Sequence, residues 1–565
     1  MNYKWNIKET DSNKIEEISK KHNLSTLVST VLINKGIEDI EQFLNPTLDK
    51  LHDPFLMADM DKAVERLLIA VEKKEKILVF GDYDVDGTTS TALLILVLQE
   101  MGLNPDFYIP NRENEGYGLS VTGINIAIEK NTKLIVTCDC GINAIDEVEY
   151  ARANGIDVVI TDHHEPMEVL PNAYAIVDPK RKDCAYPFKE LCGAGVAFKV
   201  LQALVSETDW FHEEKLYNHL DLVAIGTAAD IVPLVNENRI LTSEGLKRLS
   251  NTRKLGIQSL LKVSNFSENQ KIRVSNIVFG AAPRINAAGR LDEASQAVKL
   301  LISENPNEAG MIAQNLDKIN LERRNIERKT VDAALMELKY SHNLDEDKII
   351  ILHKRGWHQG VIGIVASKLK ETYNRPVIMI SIDKGVGRGS GRSIHSFDLH
   401  NALAECSEYL ENYGGHVMAA GLTIKEENID DFVKKMKEVV NNQVTDEMLL
   451  PVLDIDSEIS FTDINQVNID YLNKMEPFGP ANMRPKLVAR NVTISGIPRI
   501  IGEKHVKFRA CQKKIVISAI GWKMGVHYEL LISNRPLDIA FVIEENEYRG
   551  LREIQLNIKD IKYSN

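Results

Sequence analysis

Three apolar runs in this chain end in side chains that can do chemistry. Asp82, Asp84 and Asp86 follow KILVFG, Asp139 follows KLIVTC, and Asp162-His163-His164 follow DVVIT. A further run, LVAIGTAA, ends in Asp230. Any one of these is ordinary, because an aspartate at a strand end most often caps a helix or forms a turn. D-x-D-x-D-G, C-D-x-G and D-H-H closing successive strands of one sheet are not ordinary. In an open parallel α/β sheet the carboxyl ends of the strands form the ligand crevice. Five or six carboxylates converging there repel one another unless cations neutralise them. Carboxylate with imidazole, and without thiolate, suits Mn²⁺ or Mg²⁺ better than structural zinc. Neither a nucleophile elbow nor a Walker loop points to another route.

The elements that position these groups follow from periodicity. KILVFGDYD (76–84), KLIVTCD (133–139), DVVITDHH (157–164) and AYAIVD (173–178) each read as a buried parallel strand, with helical stretches between them such as 89–102 and 141–155. Continuous apolar strands alternating with helices indicate an α/β sheet covered on both faces. Residues 1–50 read as an N-terminal extension packed on the next domain, and 51–305 as the parallel-sheet catalytic domain. Residues 306–340, without glycine after Gly310 or proline after Pro306, predict one long connecting helix. A second α/β domain over 341–445 and a strand-rich, OB-type β-barrel over 446–565 complete the expected architecture.

Bulk properties narrow the function classes. Six cysteines in 565 residues argue against a disulfide scaffold and favour a reducing cytoplasm. Neither a signal peptide nor a membrane span is expected. The formal charge of −13 speaks against nucleic acid until its distribution is considered. From Arg484 to Lys523 there are ten Lys or Arg against one acid, Glu503, in the segment expected to form the barrel. A basic groove with Lys504, Lys507 and Arg509, and with Phe508 and Trp522 as stacking platforms, would track a single strand.

GDYDVDG, TCDCG, TDHH and GTAADIVPL resemble, in order and spacing, the DHH phosphoesterase superfamily, and within it the single-stranded-DNA-specific 5′ exonucleases. The resemblance spans about residues 60–565. It implies two Mn²⁺ or Mg²⁺ ions bridged by Asp139, one also taking Asp84 and the other Asp86, His163 and Asp230. His164 would face the scissile phosphate, and Asp82 would be a direct ligand or support one. Two cations about 3.5–4 Å apart would clamp a phosphate, activate a water and stabilise the leaving oxygen. One departure is Phe80, where many superfamily members carry a metal-binding histidine; another is Cys140 for the usual asparagine.

The same resemblance assigns substrate contacts. Arg112, with Ser390 and Arg392 of the Gly-rich loop GVGRGSGRS, would hold a terminal 5′-phosphate, with Tyr117 stacking near that end. Gly414, Gly415 and His416, read as preceding a helical run, would touch substrate, as would His358. Arg284, Asn286 and Arg290 would reach the phosphates next to the cut. A single-strand-binding protein and a RecQ-type helicase are the implied partners, and a monomer is expected. Two alternatives stay open: a phosphodiesterase of short oligonucleotides or cyclic dinucleotides, and a non-catalytic DNA-binding scaffold.

Overall fold

The structure, a computed structural model, describes residues 3–111, 115–266, 270–291, 294–344, 346–548 and 551–564. Arg112, one of the expected phosphate contacts, lies outside them. The chain forms two compact units, one from residues 7–317 with 454–565 and one built on 318–453.

In the first unit, β1 (Ile77–Gly81), β2 (Asp106–Tyr108), β3 (Leu134–Cys138), β4 (Asp157–Thr161) and β5 (Ala175–Val177) form a parallel sheet of order β2-β1-β3-β4-β5. Register brings the expected groups together. Gly81 is level with Cys138, Cys138 with Thr161, and Thr161 with Val177, so positions 82, 139, 162 and 178 leave the sheet side by side. Successive strand residues point to opposite faces. Val79, Val136 and Val159 enter one core, while Leu78, Phe80, Ile135 and Ile160 enter the other. Helix α1 (Val85–Glu100) buries thirteen residues around its circumference, as do most positions of α2 (Gly193–Ser206) and α3 (Leu220–Asp230), which pack on it. Helices apolar all round belong in an interior. Asp230 is therefore the last residue of a helix.

Helix α4 (Ala282–Leu291) follows, and then α5 (Pro306–Ser341), one uninterrupted 36-residue helix that runs from the first unit into the second. Among the described residues no helix is long and apolar enough to cross a membrane.

The second unit contains β6 (Ile350–Arg355), α6 (Gln359–Tyr373), β7 (Val377–Asp383), β8 (Val386–Arg392), β9 (Leu410–His416) and β10 (Ala419–Lys425), with sheet order β9-β10-β8-β7-β6. Two sequence expectations are corrected here. GVGRGSGRS is a central strand, β8, rather than a loop. Its glycines alternate, and a Cβ on Gly387, Gly389 or Gly391 would fall within 3 Å of Ile380, Leu422 or Leu399 respectively. The glycines admit bulky neighbours on one face, leaving Arg388, Ser390 and Arg392 on the other. NYGGH precedes a strand rather than a helical run, because His416 pairs with Ala419 across a two-residue hairpin turn.

The C-terminal strands β11 (Leu487–Ile494), β12 (His505–Gln512), β13 (Ile515–Gly521), β14 (Leu537–Tyr548) and β15 (Leu551–Tyr563) close as β11-β14-β15-β13-β12-β11, a five-stranded barrel of the OB type. The N-terminal segment adds to its core. Leu27, Val28, Val31, Leu32, Phe43 and Leu44 share one apolar cluster with Phe461, Val506, Phe541 and Leu556. The segment thus packs on the end of the chain and also on the domain that follows it in sequence, where Leu48 meets the first core and Arg239 donates to Phe43 O.

Candidate metal and substrate site

Each acidic group sits at a backbone feature that fixes it. Asp84 caps α1, its Oδ1 accepting the Gly87 amide at 3.0 Å, which places Asp86 in the first turn. Asp86 is fully enclosed, and its two oxygens accept the Gly193 and Ala194 amides at 2.5 and 2.9 Å. Those amides open α2, so a helix N-terminus supports the carboxylate. Asp139 has φ of 62°, a left-handed conformation that Asp tolerates, and its amide donates to Thr161 O at 3.0 Å. Gly193 faces it closely: a Cβ there would lie 2.6 Å from the Asp139 Cβ.

Asp162 does not join the ligand cluster; it organises the histidines. Its Oδ1 accepts the His163 amide, the His164 amide and His164 Nδ1 at 2.7, 3.2 and 2.7 Å, and its Oδ2 accepts the Ile142 amide at 3.0 Å. Burial works against charging His164, but the bond to Asp162, with Asp230 and Asp82 nearby, pushes its pKa up to about 8. In metal-free protein, Asp162→Asn is expected to move the His164 titration, followed by NMR, down from about 8, because the bond and charge that oppose burial most are lost and only Asp230 and Asp82 still raise it. An unmoved titration would mean that another group charges His164.

Three groups of ligand atoms lie within 4.8 Å of one another: Asp82, Asp84 and Asp139; Asp86, His163 and Asp230; and Asp139, His163 and His164. His163 Nε2 is 3.0 Å from Asp139 and 3.8 Å from both Asp86 and Asp230. Burial and the neighbouring His164 push His163 down to about 3, which leaves it neutral with a lone pair to offer. Burial, then Asp230 and Asp84, raise the Asp86 carboxyl well above its usual range. Burial with Asp86, Asp84, Asp82 and Asp230 does the same to Asp139. Asp139 Oδ1, His163 Nε2 and Asp230 Oδ2 are buried without a hydrogen-bond partner among the described residues. Unsatisfied acceptors and uncompensated like charges fit divalent cations. Phe80 is buried against the Tyr108 ring, centroids 5.3 Å apart, so it has no place among the ligands; Asp82 stands there with Asp84 and Asp139.

The expected substrate residues divide. Tyr117 lies at the cluster itself: its hydroxyl donates to the Asp139 carbonyl at 3.0 Å and is 3.0 Å from His164 Nδ1. The Arg284 guanidinium donates to Gly280 O and Val263 O at 2.8 and 2.9 Å and pairs with Asp317 at 2.8 Å. Asn286 and Arg290 are half-buried on α4. His358 caps α6, accepting the Gly360 amide at 3.1 Å. Arg392 donates to Ser390 Oγ at 3.1 Å, and both flank Gly363 of α6, whose Cβ would lie 3.0 Å from Ser390 Oγ and 3.1 Å from Arg392 Nη2. Gly414, Gly415 and His416 are exposed at the end of β9.

On the barrel, alternation along β12 turns Lys507 and Arg509 outward and Val506, Phe508 and Ala510 inward. Phe508 is only 4% exposed, so it is a core residue and not a stacking platform. Lys504 is exposed, and so is Trp522, which meets His505 edge-on with centroids 4.8 Å apart. Arg484 and Arg490, in contrast, pair with Glu476 and with Glu458 and Asp538.

Sequence reasoning gave no role to Asp162, nor to Gly193 and Ala194. The first is written in the D-H-H motif. The others needed the tertiary approach of α2 to α1, which no local pattern encodes.

Comparison with known proteins agrees with this architecture. Residues 76–227 match the DHH family N-terminal domain, 346–442 the DHHA1 domain and 455–560 the RecJ OB domain. The single-stranded-DNA-specific exonuclease RecJ of Bacillus subtilis is 38% identical over 567 residues, covering 99% of this chain and 71% of that one. The Escherichia coli RecJ is 36% identical over 532 residues, 89% and 90% of the two chains. The crystal structure of RecJ from Thermus thermophilus in complex with Mn²⁺ superposes with a TM-score of 0.83 at 26% identity, over 100% of this chain and 80% of that one. With catalytic sheet, second α/β unit and barrel all matched in order, the chain belongs to the RecJ family of single-stranded-DNA-specific exonucleases.

Proposed function

We propose that this protein is a metal-dependent exonuclease that hydrolyses single-stranded DNA from the 5′ end, releasing 5′-mononucleotides, and that it acts in DNA repair and recombination. The observation that carries the reading is the adjacency of two ligand groups, Asp82, Asp84 and Asp139 beside Asp86, His163 and Asp230, joined where Asp139 lies 3.0 Å from His163, on a chain similar to single-stranded-DNA-specific exonucleases over nearly all of its length. Asp82, Asp84 and Asp139 would hold one Mn²⁺ or Mg²⁺, and Asp86, Asp139, His163 and Asp230 the other. Bound there, such ions supply Lewis acidity to the phosphate and lower the pKa of the attacking water. His164, held protonated near neutrality by Asp162, would place positive charge and a donor at the non-bridging phosphate oxygens. Tyr117 would keep that imidazole and the Asp139 backbone in one arrangement. Ser390 and Arg392 would take a terminal phosphate, the group that distinguishes a 5′ end from internal backbone.

The decisive experiment offers 5′-phosphorylated single-stranded DNA, duplex DNA and dinucleotides with Mn²⁺ and follows product size. Mononucleotides released stepwise from the 5′ end of single strands alone are expected. Preference for dinucleotides would favour a short-oligonucleotide phosphodiesterase, a reading to which the barrel adds nothing. Removing Lys507 and Arg509 together as alanines is expected to weaken strand binding. It should also flatten the slope of log K against log salt by about 0.7 for each lost phosphate contact, read from titrations at several salt concentrations. An unchanged slope would exclude that face from the interface. The six unbridged cysteines favour a reducing, cytoplasmic setting, with a single-strand-binding protein and a helicase as partners of a monomer.

A further inference from the structure

Pairing across the sheet of the second unit sorts its residues into rows, because directly paired residues share a face. Ser390 of β8 pairs with Gly421 of β10, and Gly421 with Gly414 of β9. Arg392 pairs with Ala419, and Ala419 with His416. These two rows carry the expected substrate contacts. The next row on the same face begins two residues back along β8, about 6.8 Å away at ~3.4 Å per residue. It runs Asn412, Thr423, Arg388, Ser381 and Lys354, from β9 across to β6. The floor between the rows is bare. A Cβ on Gly414 would meet nothing within 4 Å, and one on Gly421 only the Gly389 carbonyl oxygen at 3.9 Å.

Arg388 is exposed, and its guanidinium donates to Gln359 Oε1 at 3.2 Å. Gln359 is the first residue of α6, so the positive end of a 15-residue helix lies beside this row. Lys354, also exposed, adds a second cation from β6. The hydrogen bonds of the two arginines go to neutral groups: Arg388 to an amide, Arg392 to Ser390 Oγ and the Gly391 carbonyl. Glu426, just past β10, pairs with Arg355 instead. One row further out Val386 pairs with Asp383 and with Lys425, and the cationic surface ends. Such a surface suits an anion of more than one charge. Mononucleotide release decides which anion can reach it. The phosphate after the terminal one is the one cut, and it belongs at the Asp139 cluster of the first unit. An anion in the Arg388 row therefore hangs from the terminal phosphate itself.

We propose that the Arg388 row is a second anion subsite, which takes the outer phosphates of a 5′-di- or triphosphorylated strand while Ser390 and Arg392 hold the innermost; this rests on the terminal-phosphate role given to those two residues above. Arg388 and Lys354 supply the charge, and Asn412 and Thr423 neutral donors across the glycine floor. The bond that breaks is unchanged. Water attacks the first internal phosphodiester, the bond from its phosphorus to the 3′-oxygen of the first nucleotide breaks, and that oxygen takes a proton. The shortened strand keeps the phosphate at its new 5′ end. The first nucleotide then leaves as a nucleoside triphosphate with its anhydride bonds intact, and every later one as a monophosphate.

The test compares 5′ ends on one sequence. Single-stranded DNA carrying a 5′-hydroxyl, a 5′-monophosphate or a 5′-triphosphate is hydrolysed with Mn²⁺ by the wild type, Arg388→Gln and Arg388→Lys, and the products are separated by ion exchange. The wild type is expected to cut the triphosphorylated strand within about threefold of the monophosphorylated one and to release a deoxynucleoside triphosphate first. Arg388→Gln should lower the triphosphate-to-monophosphate ratio of kcat/KM about tenfold, the size of one charge-assisted bond (about 1.4 kcal/mol), with the loss carried in KM. Arg388→Lys keeps the charge and should restore most of that ratio. A ratio unchanged by Arg388→Gln, a triphosphorylated strand that stays uncut, or pyrophosphate as the first product overturns the subsite alone. Equal wild-type rates on the 5′-hydroxyl and 5′-monophosphate strands overturn the terminal-phosphate reading and this proposal with it.

Discussion

Asp139→Asn is expected to lower kcat/KM on single-stranded DNA by at least about three orders of magnitude, some 4 kcal/mol, while raising the melting temperature of the metal-free protein. The two effects have opposite signs for one reason. Asp139 groups with Asp82 and Asp84 and lies 3.0 Å from His163 of the other group, so its charge serves both candidate ion sites. Without cations the same charge is a burden, because burial and Asp86, Asp84, Asp82 and Asp230 raise its pKa well above 3.8. A carboxyl whose folded pKa is raised costs stability once pH exceeds the unfolded value, and the cost is complete above the folded one. The stabilisation should therefore grow as pH rises above 3.8 and disappear well below it, where both states are protonated. Asparagine also tolerates the left-handed backbone at this position. Thermal melts in chelator, run beside initial rates in Mn²⁺, read both effects. Retained activity would remove Asp139 from the ligand set, and lost stability would make it a folding residue.

The largest effect on stability is expected at Arg239, far from the chemistry. Its guanidinium, 2% exposed, donates to Phe43 O, Lys474 O and Met475 O at 2.8–2.9 Å and lies 4.0 Å over the Phe43 ring. It joins the catalytic domain, the N-terminal segment and the polypeptide leading into the barrel, next to the bond from the Leu234 amide to Pro480 O at 2.8 Å. Arg239→Met keeps most of the volume but leaves three carbonyls without their donor, those of Phe43 and Met475 buried. A loss of roughly 3–5 kcal/mol follows, measured as a lower urea midpoint. A change below about 1 kcal/mol would show that water or a neighbour replaces the donor.

Legibility in the sequence followed how local each signal was. The strands ending in Asp82, Asp139 and Asp162 were readable because all-buried parallel strands are continuous apolar runs, and their parallel register then carries the next residue of each to one edge. The closed barrel and the 36-residue helix were readable for similar reasons of period and length. The glycines of β8 were misread because alternation of Gly with Arg or Ser looks like a phosphate loop until Leu399 and Leu422 are seen above them. Phe508 was misread because its basic neighbours suggested a surface, whereas a strand's period of two sends Lys507 and Arg509 out and Phe508 in. The partners of Arg284, Asp317 and two carbonyls, come only from tertiary structure.

The core shared by residues 24–44 and 459–561 sets a problem of timing during synthesis. Roughly 400 residues separate the two segments, so at ~5–20 residues per second the early helices wait some tens of seconds for their partners. Through that interval Leu27, Val28, Val31 and Leu32 have no barrel to cover them. Closing so long a loop is slow, since contacts of high sequence separation form late. A ribosome that stalls before β14 and β15 would release a chain with a finished catalytic sheet and an uncovered apolar helix pair. Such a product would aggregate or be degraded, so full-length translation itself acts as a check on which copies persist.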